Sequence, residues 1–282
     1  MTARTGTLPA DTHVGRVTLA VGDLDPTLAF YRDVVGLRVH EERDDEATLG
    51  DGTTSFLSLR ERPDARPRGA TAAGLFHTAF CVPSRAALGD ALERIDEQWR
   101  LDGASDHRVS EALYLSDPED NGVEIYHDRP RSEWPVGDDG RVQMATLPLP
   151  TDDLASAADG RDRVPEGTDI GHVHLEATDL AAARRFYVDG LRLRVRQEFG
   201  SDALFLAAGD YHHHVGVNTW NGRTEPAGER GLAQFELVVP DADALDAVAD
   251  RLTDLDVAVT GRADELSVAD PDGIDVVLRT DD

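Results

Sequence analysis

Gly15-Arg16-Val17-Thr18-Leu19 runs on to Asp23-Leu24, Phe30-Tyr31 and Leu37-Arg38-Val39. Far downstream, Gly171-His172-Val173-His174-Leu175 runs on at the same spacing to Asp179-Leu180, Phe186-Tyr187 and Leu193-Arg194-Val195. The chain is therefore built on an internal repeat, which bounds the fold before any motif is weighed. Its chemistry is not repeated. His172, a side chain able to ligate a metal, has Arg16 as its counterpart. Unequal copies of one fold point to one working site and one degenerate site.

Each copy opens a longer unit. Residues 17–21 form a β-rich run that closes at Gly22-Asp23, a turn signal. From Pro26 onward, Leu28, Phe30-Tyr31 and Val34-Val35 fit one face of a short helix, and 56–59 is a further strand. A second unit starts with a strand at 76–82, stopped by Pro83. Its helix carries Leu88, Leu92 and Ile95, and strands follow at 112–115 and 123–126. The second half repeats this order. Its third unit has strands at 173–177, 203–207 and 212–218, with a helix at Phe186-Tyr187. Its fourth has strands at 232–239, 266–269 and 274–278, with a helix through Leu245, Val248 and Leu252. Strand, helix and about three strands, four times over, predict an α+β fold of four tandem βαβββ units. The expected division is 1–128 (units one and two), a linker at 129–168 and 169–282 (units three and four). The linker is rich in Pro, Gly and paired Asp, and its Trp134 is expected to pack on a core rather than lie over a pocket mouth.

The basic residues, 28 in all, are every one Arg. Against 55 Asp and Glu they leave a net charge of −27. Such a surface repels phosphate backbones and argues against nucleic-acid binding. An acidic, Lys-free surface suits a very salty (halophilic) cytoplasm, where screening removes self-repulsion. Cys81 is the only cysteine, so no intramolecular disulfide forms. No apolar run is long enough for a membrane span, and the opening MTARTGTLPADT lacks a signal-peptide core. A soluble, cytoplasmic protein with no membrane partner is expected.

By period two, His77, Ala79 and Cys81 share one strand face. Downstream, Asp117-Pro118-Glu119-Asp120-Asn121-Gly122 is a tight turn, and Val123-Glu124-Ile125-Tyr126 leaves it as a strand. On alternation alone, Glu124 faces either solvent or the core. In the core a carboxylate is costly unless it is paired or bound to a metal. Aligning Asp117-Pro118 with Asp270-Pro271 gives Val277 as the counterpart of Glu124, and Gln234 as that of His77. Units two and three thus keep candidate ligands; units one and four lack them. If units two and three share one cavity, His77, His172 and Glu124 form the two-His, one-carboxylate set that leaves positions open on a non-haem Fe(II).

These features resemble the vicinal oxygen chelate superfamily: the repeated "DL…FY", the His77-x-Ala79-Phe80 opening and the "DPxxNGxE" turn. That superfamily includes glyoxalase I, fosfomycin- and bleomycin-resistance proteins and type I extradiol dioxygenases. The resemblance covers nearly the whole chain and implies two curved mixed sheets. It implies His172, His77 and Glu124 as metal ligands, provided that unit pairing is crossed; uncrossed, neither half holds a full set. The strings "EALYLSDPEDNGVEIYHDRP" and "YHHHVGVNTW" are most similar to the short bacterial catechol-2,3-dioxygenase group. That likeness implies Tyr114 and His107 as active-site residues ahead of the Glu ligand. It also implies His213 as the acid–base residue, with His212 and His214 pointing away if the strand alternates and the register holds. The implied cofactor is Fe(II), or alternatively Mn(II). The implied reactants are a small aromatic diol and O2, in aromatic-compound catabolism, within a monomer or homo-oligomer. Two other readings belong to the same superfamily: a metal-dependent glyoxalase-type isomerase or transferase, and a metal-free drug-sequestering protein. The glyoxalase reading needs a second carboxylate at the metal, where the counterparts taken here are Arg16 and Val277.

Overall fold

The computed structural model describes residues 7–262 and 264–280, so residues 1–6 of the opening segment read for a signal peptide lie outside it. Unit one comprises β1 (His13–Val21), α1 (Leu24–Ala29) running into a π-helical turn (Phe30–Val35), β2 (Arg38–Glu42), β3 (Glu46–Gly50) and β4 (Ser55–Glu61). Unit two comprises β5 (Gly74–Cys81), α2 (Arg85–Gln98), β6 (Gly103–Asp106), β7 (Ser110–Ser116) and β8 (Gly122–Asp128). The connecting segment holds a 3-10 turn (Arg131–Glu133), β9 (Leu147–Pro148) and α3 (Thr151–Ala155). Unit three follows as β10 (Asp169–Glu176), α4 (Leu180–Arg184) with a π-helical turn (Arg185–Gly190), β11 (Arg194–Phe199), β12 (Ala203–Ala207) and β13 (Val215–Asn218). Unit four is β14 (Gly231–Val239), α5 (Ala242–Asp254), β15 (Thr260–Arg262), β16 (Glu265–Ala269) and β17 (Asp275–Thr280).

The units combine crosswise. Units one and four form one mixed sheet, in the order β15-β16-β17-β14-β1-β4-β3-β2. Units two and three form the other, β11-β12-β13-β10-β5-β8-β7-β6-β9. Each sheet is seamed at its centre by an antiparallel pair of first strands, β1 with β14 and β10 with β5. The expected α+β fold of four βαβββ units in two curved mixed sheets is the one observed. Residues 129–168 do more than connect, since β9 pairs with β6 and extends the second sheet.

The repeated motifs have a structural cause. In "FY", the buried hydroxyl of Tyr31 donates to Oδ2 of Asp117 at 3.2 Å, and that of Tyr187 to Oδ2 of Asp270 at 2.9 Å. The helix of each odd-numbered unit is thus tied to the "DP" turn of the unit after it. Each tie satisfies two buried polar groups, whose loss costs about 1–3 kcal/mol. The "DL" aspartate caps the following helix in unit three, where Asp179 accepts from the backbone N–H of Ala181 and Ala182. Ser84 and Asp241 cap the longer helices α2 and α5 in the same way. The π-helical turn of unit one stops at Gly36, whose φ of 90° falls in the left-handed region that favours glycine. Among the described residues no helix is long and apolar enough to cross a membrane.

Candidate active site

Three adjacent strands bring the site together. Ala79 on β5 is opposite Glu124 on the parallel strand β8, and opposite His172 on the antiparallel strand β10. His77 lies two residues back on the same face as Ala79. The small, fully buried Ala79 side chain leaves room for its two neighbours to converge. Nε2 of His77 lies 3.0 Å and Nε2 of His172 3.3 Å from Oε2 of Glu124. One donor atom from each of the three lies within 4.8 Å of the others.

Burial alone would raise the pKa of Glu124, but His172 and then His77 outweigh it and hold this carboxyl well below its usual range. Burial pushes His172 down to about 4, against the pull of Glu124. His172 is thus neutral and the Glu124 carboxylate is charged near neutral pH. Nε2 of His77 is buried and, despite its closeness to Glu124, forms no hydrogen bond. Such orphaned atoms are rare in native interiors. Two imidazole nitrogens and one carboxylate oxygen fit a divalent cation, which would satisfy that nitrogen. A second group, His172, His212 and His213, also brings its ligand atoms within 4.8 Å of one another. It competes poorly, because both ring nitrogens of His212 are already engaged, with Asp128 and with His213.

Tyr114 and His107 meet beside this group. The Tyr114 hydroxyl lies 2.5 Å from Nε2 of His107, whose Nδ1 lies 2.6 Å from the carbonyl of Ala145. A carbonyl only accepts, so Nδ1 carries the hydrogen and a neutral His107 accepts from Tyr114 at Nε2. Burial, and then the charge of Glu124, raise the Tyr114 pKa well above the usual phenol value, so Tyr114 stays protonated.

The strand expected at 212–218 is shorter. β13 begins at Val215, and 211–214 form a bent segment. Strict alternation therefore does not govern the three histidines, all of which are buried. His212 and His214 both lie against the Tyr211 ring, at centroid distances of 4.1 and 4.9 Å. His213 lies against His172 at 4.0 Å and lines the cavity. Burial, reinforced by the neighbouring imidazoles, holds His213 and His174 well below the usual histidine range.

His214 is pushed by burial down to about 3, and its Nδ1 accepts from the backbone N–H of Ala208. In the unfolded chain it protonates near pH 6.5, so its contribution to stability worsens as pH falls from there towards 3. His214→Asn, whose Oδ1 can still accept from Ala208, should flatten the acid-side loss of stability. The expected relief is up to about 1.4 kcal/mol per pH unit between pH 6 and 4, measured by denaturant unfolding at each pH. Equal slopes in the two proteins would show that His214 already carries its proton when folded.

The cavity measures about 310 Å³, within the range of small-molecule sites. Sequence reasoning did not find several of its residues. His174 shares the face of His172 by period two and lines the cavity, and that spacing was a usable signal. Phe76, Phe205 and Trp220 form its aromatic wall, and Met144, Ala145 and Thr146 come from the connecting segment. No local pattern marks these, because they are assembled by the crossed pairing. Trp134 is buried on Val109 and Val142, as expected for a packing residue.

The crossed pairing also corrects the search for a second carboxylate. Arg16 and Val277 belong to the other sheet. Glu124 faces Ala79 across β8 and β5, and the matching position in unit three is Gly216, which faces His174 across β13 and β10. A Cβ at Gly216 would come within 2.8 Å of the His174 ring, so that ring occupies the space of any second ligand there.

Four βαβββ units in two curved mixed sheets, with ionisable groups gathered on one of them, define a glyoxalase-like protein. The family model described as the Glyoxalase/Bleomycin resistance protein/Dioxygenase superfamily matches residues 13–125 and 169–278, and the chain belongs to that superfamily. It is 39% identical over 271 residues to a protein of Bacillus subtilis (strain 168) named catechol-2,3-dioxygenase, covering 93% of this chain and 94% of that one. Among solved structures, a putative dioxygenase from Bacillus subtilis subsp. subtilis str. 168 aligns with a TM-score of 0.65 at 15% identity, over 98% of this chain and 86% of that one. Glyoxalase I from Zea mays aligns with a TM-score of 0.59 at 17% identity, over 96% and 92%. At such identities the two structures speak for the fold alone.

Proposed function

We propose that this chain is a non-haem Fe(II) extradiol dioxygenase that opens the ring of catechol, or of a substituted catechol, with O2. The observation that carries this reading is the meeting of His77, His172 and Glu124 on one wall of a cavity also lined by His213, Tyr114 and His107. The 39% identity to a catechol-2,3-dioxygenase supports it. His77, His172 and Glu124 would hold the metal, Fe(II) or alternatively Mn(II). When bound, it would hold diol and dioxygen side by side and let charge pass between them. The protein's own groups do the rest. His213, kept neutral by burial, takes a proton from a diol hydroxyl and later returns it. The Tyr114 oxygen, whose hydrogen is held by His107, accepts from a diol hydroxyl. Phe76, Phe205 and Trp220 pack on the ring and exclude water.

The cavity lining includes no Arg among the described residues, and the chain has no Lys. A catechol bearing a carboxylate would bring its charge into a site that already holds Glu124 and offers no cationic side chain to pair with it. Protein loaded anaerobically with Fe(II) is expected to consume O2 and turn catechol and alkylcatechols yellow. Carboxylated catechols should react at least about tenfold less efficiently in kcat/KM, the cost of about 1.4 kcal/mol for an unpaired charge near the site. O2 uptake with none of these diols would overturn the reading. The superfamily's glyoxalase-type alternative would then be tested by hemithioacetal isomerisation, against which Gly216 already weighs.

A further inference from the structure

Asp128, at the end of β8, stands behind the cavity wall with no place in the chemistry described so far. Its Oδ1 lies 2.9 Å from Nε2 of His212, and Nδ1 of His212 lies 2.7 Å from Nδ1 of His213. A carboxylate accepts, so Nε2 of His212 carries a hydrogen. With His212 neutral, its Nδ1 has only a lone pair, and the hydrogen between the two rings belongs to His213. His213 is then the Nδ1–H tautomer. Its Nε2, which has no hydrogen-bond partner among the described residues, keeps the lone pair for the cavity.

We propose that Asp128 and His212 are positioning residues that set the tautomer and ring plane of His213. The inference rests on the reading of His213 as the base. In the step they serve, the diol O–H bond breaks, its proton goes to Nε2 of His213, and the electron pair stays on the diol oxygen. The imidazolium so formed keeps its Nδ1–H on His212, whose Nε2–H faces the Asp128 carboxylate. A negative charge thus lies one ring away from the positive charge that develops.

The surroundings hold this chain in place. His212 is buried against the Tyr211 ring at 4.1 Å and the Trp134 ring at 5.3 Å. The Arg131 guanidinium covers both of those rings. The Tyr211 hydroxyl meets that of Tyr126 at 2.7 Å and also faces Asp128. Arg131 and Trp134 belong to the connecting segment, which gives that segment a role behind the site as well as along its wall.

The test uses metal-free full-length protein labelled with 15N at histidine. Two-bond 1H–15N spectra should show His213 of the wild type protonated at Nδ1 and bare at Nε2. In Asp128→Asn the side-chain amide can donate to Nε2 of His212, which reverses both bonds and moves His213 towards the Nε2–H form. With metal content unchanged, kcat for catechol should fall about tenfold or more and KM by much less, as when a buried triad carboxylate is replaced by its amide. Asp128→Glu should restore most of the loss. A wild-type His213 protonated at Nε2, or an unchanged tautomer in folded Asp128→Asn, would sink the proposal. The wild-type spectrum decides even if the variant fails to fold. It is also independent of turnover: a correct tautomer in a protein inert towards catechols would leave the relay standing and overturn the dioxygenase reading.

Discussion

His172→Ala is expected to strip the chain of bound iron, from about one ion to less than a tenth of one, and His77→Ala to do the same. Each imidazole supplies one of only three protein donors in the proposed set. Loss of a partner that merely orients a ligand typically weakens metal binding about 10–100-fold, and loss of the ligand itself should exceed that. Glu124→Gln is the sharper variant, since it keeps shape and removes the charge. A metal at one hundred times its Kd stabilises the fold by about 2.7 kcal/mol. Adding Fe(II) or Mn(II) anaerobically should therefore raise the melting temperature of the wild type and leave that of the variants unmoved. Metal analysis and thermal unfolding measure this together. Unchanged iron in both histidine variants would refute the ligand set, whatever the activity.

The reach of sequence reasoning followed the range of the interactions involved. The four units were legible because the "FY" and "DP" motifs recur for a local reason, the buried Tyr31–Asp117 and Tyr187–Asp270 ties. His77, Glu124 and His172 could be singled out because their counterparts Gln234, Val277 and Arg16 break the repeat. Their convergence depends on β5 pairing with β10, a contact between halves that no local spacing specifies. The same ignorance of pairing misdirected the search for a second carboxylate towards Arg16 and Val277 and away from Gly216. At 211–214 the alternation rule failed for another reason. The backbone bends before β13, so neighbouring histidines reach each other instead of opposite faces. Asp128 was invisible beside them, because it meets His212 only after the chain has crossed between halves.

His213→Ala is expected to bind metal as the wild type does and to lose turnover by about 10²–10⁴-fold, the usual worth of a positioned acid–base group. The ring of His213 lies 4.0 Å from that of His172, so part of an alanine effect could come through a shifted ligand. His213→Gln addresses this by keeping a polar side chain of similar reach without a group that titrates as a base. Metal content separates the two causes. A displaced His172 lowers occupancy, whereas a missing base lowers kcat with the metal still in place. Substrate chemistry gives a second separation. A catechol carrying a strong electron-withdrawing group is already ionised at working pH and has less need of a base. Its turnover by His213→Gln should fall much less than that of catechol itself. Equal losses on both substrates, with full metal, would remove proton abstraction from the role of His213 and leave it as a wall of the cavity.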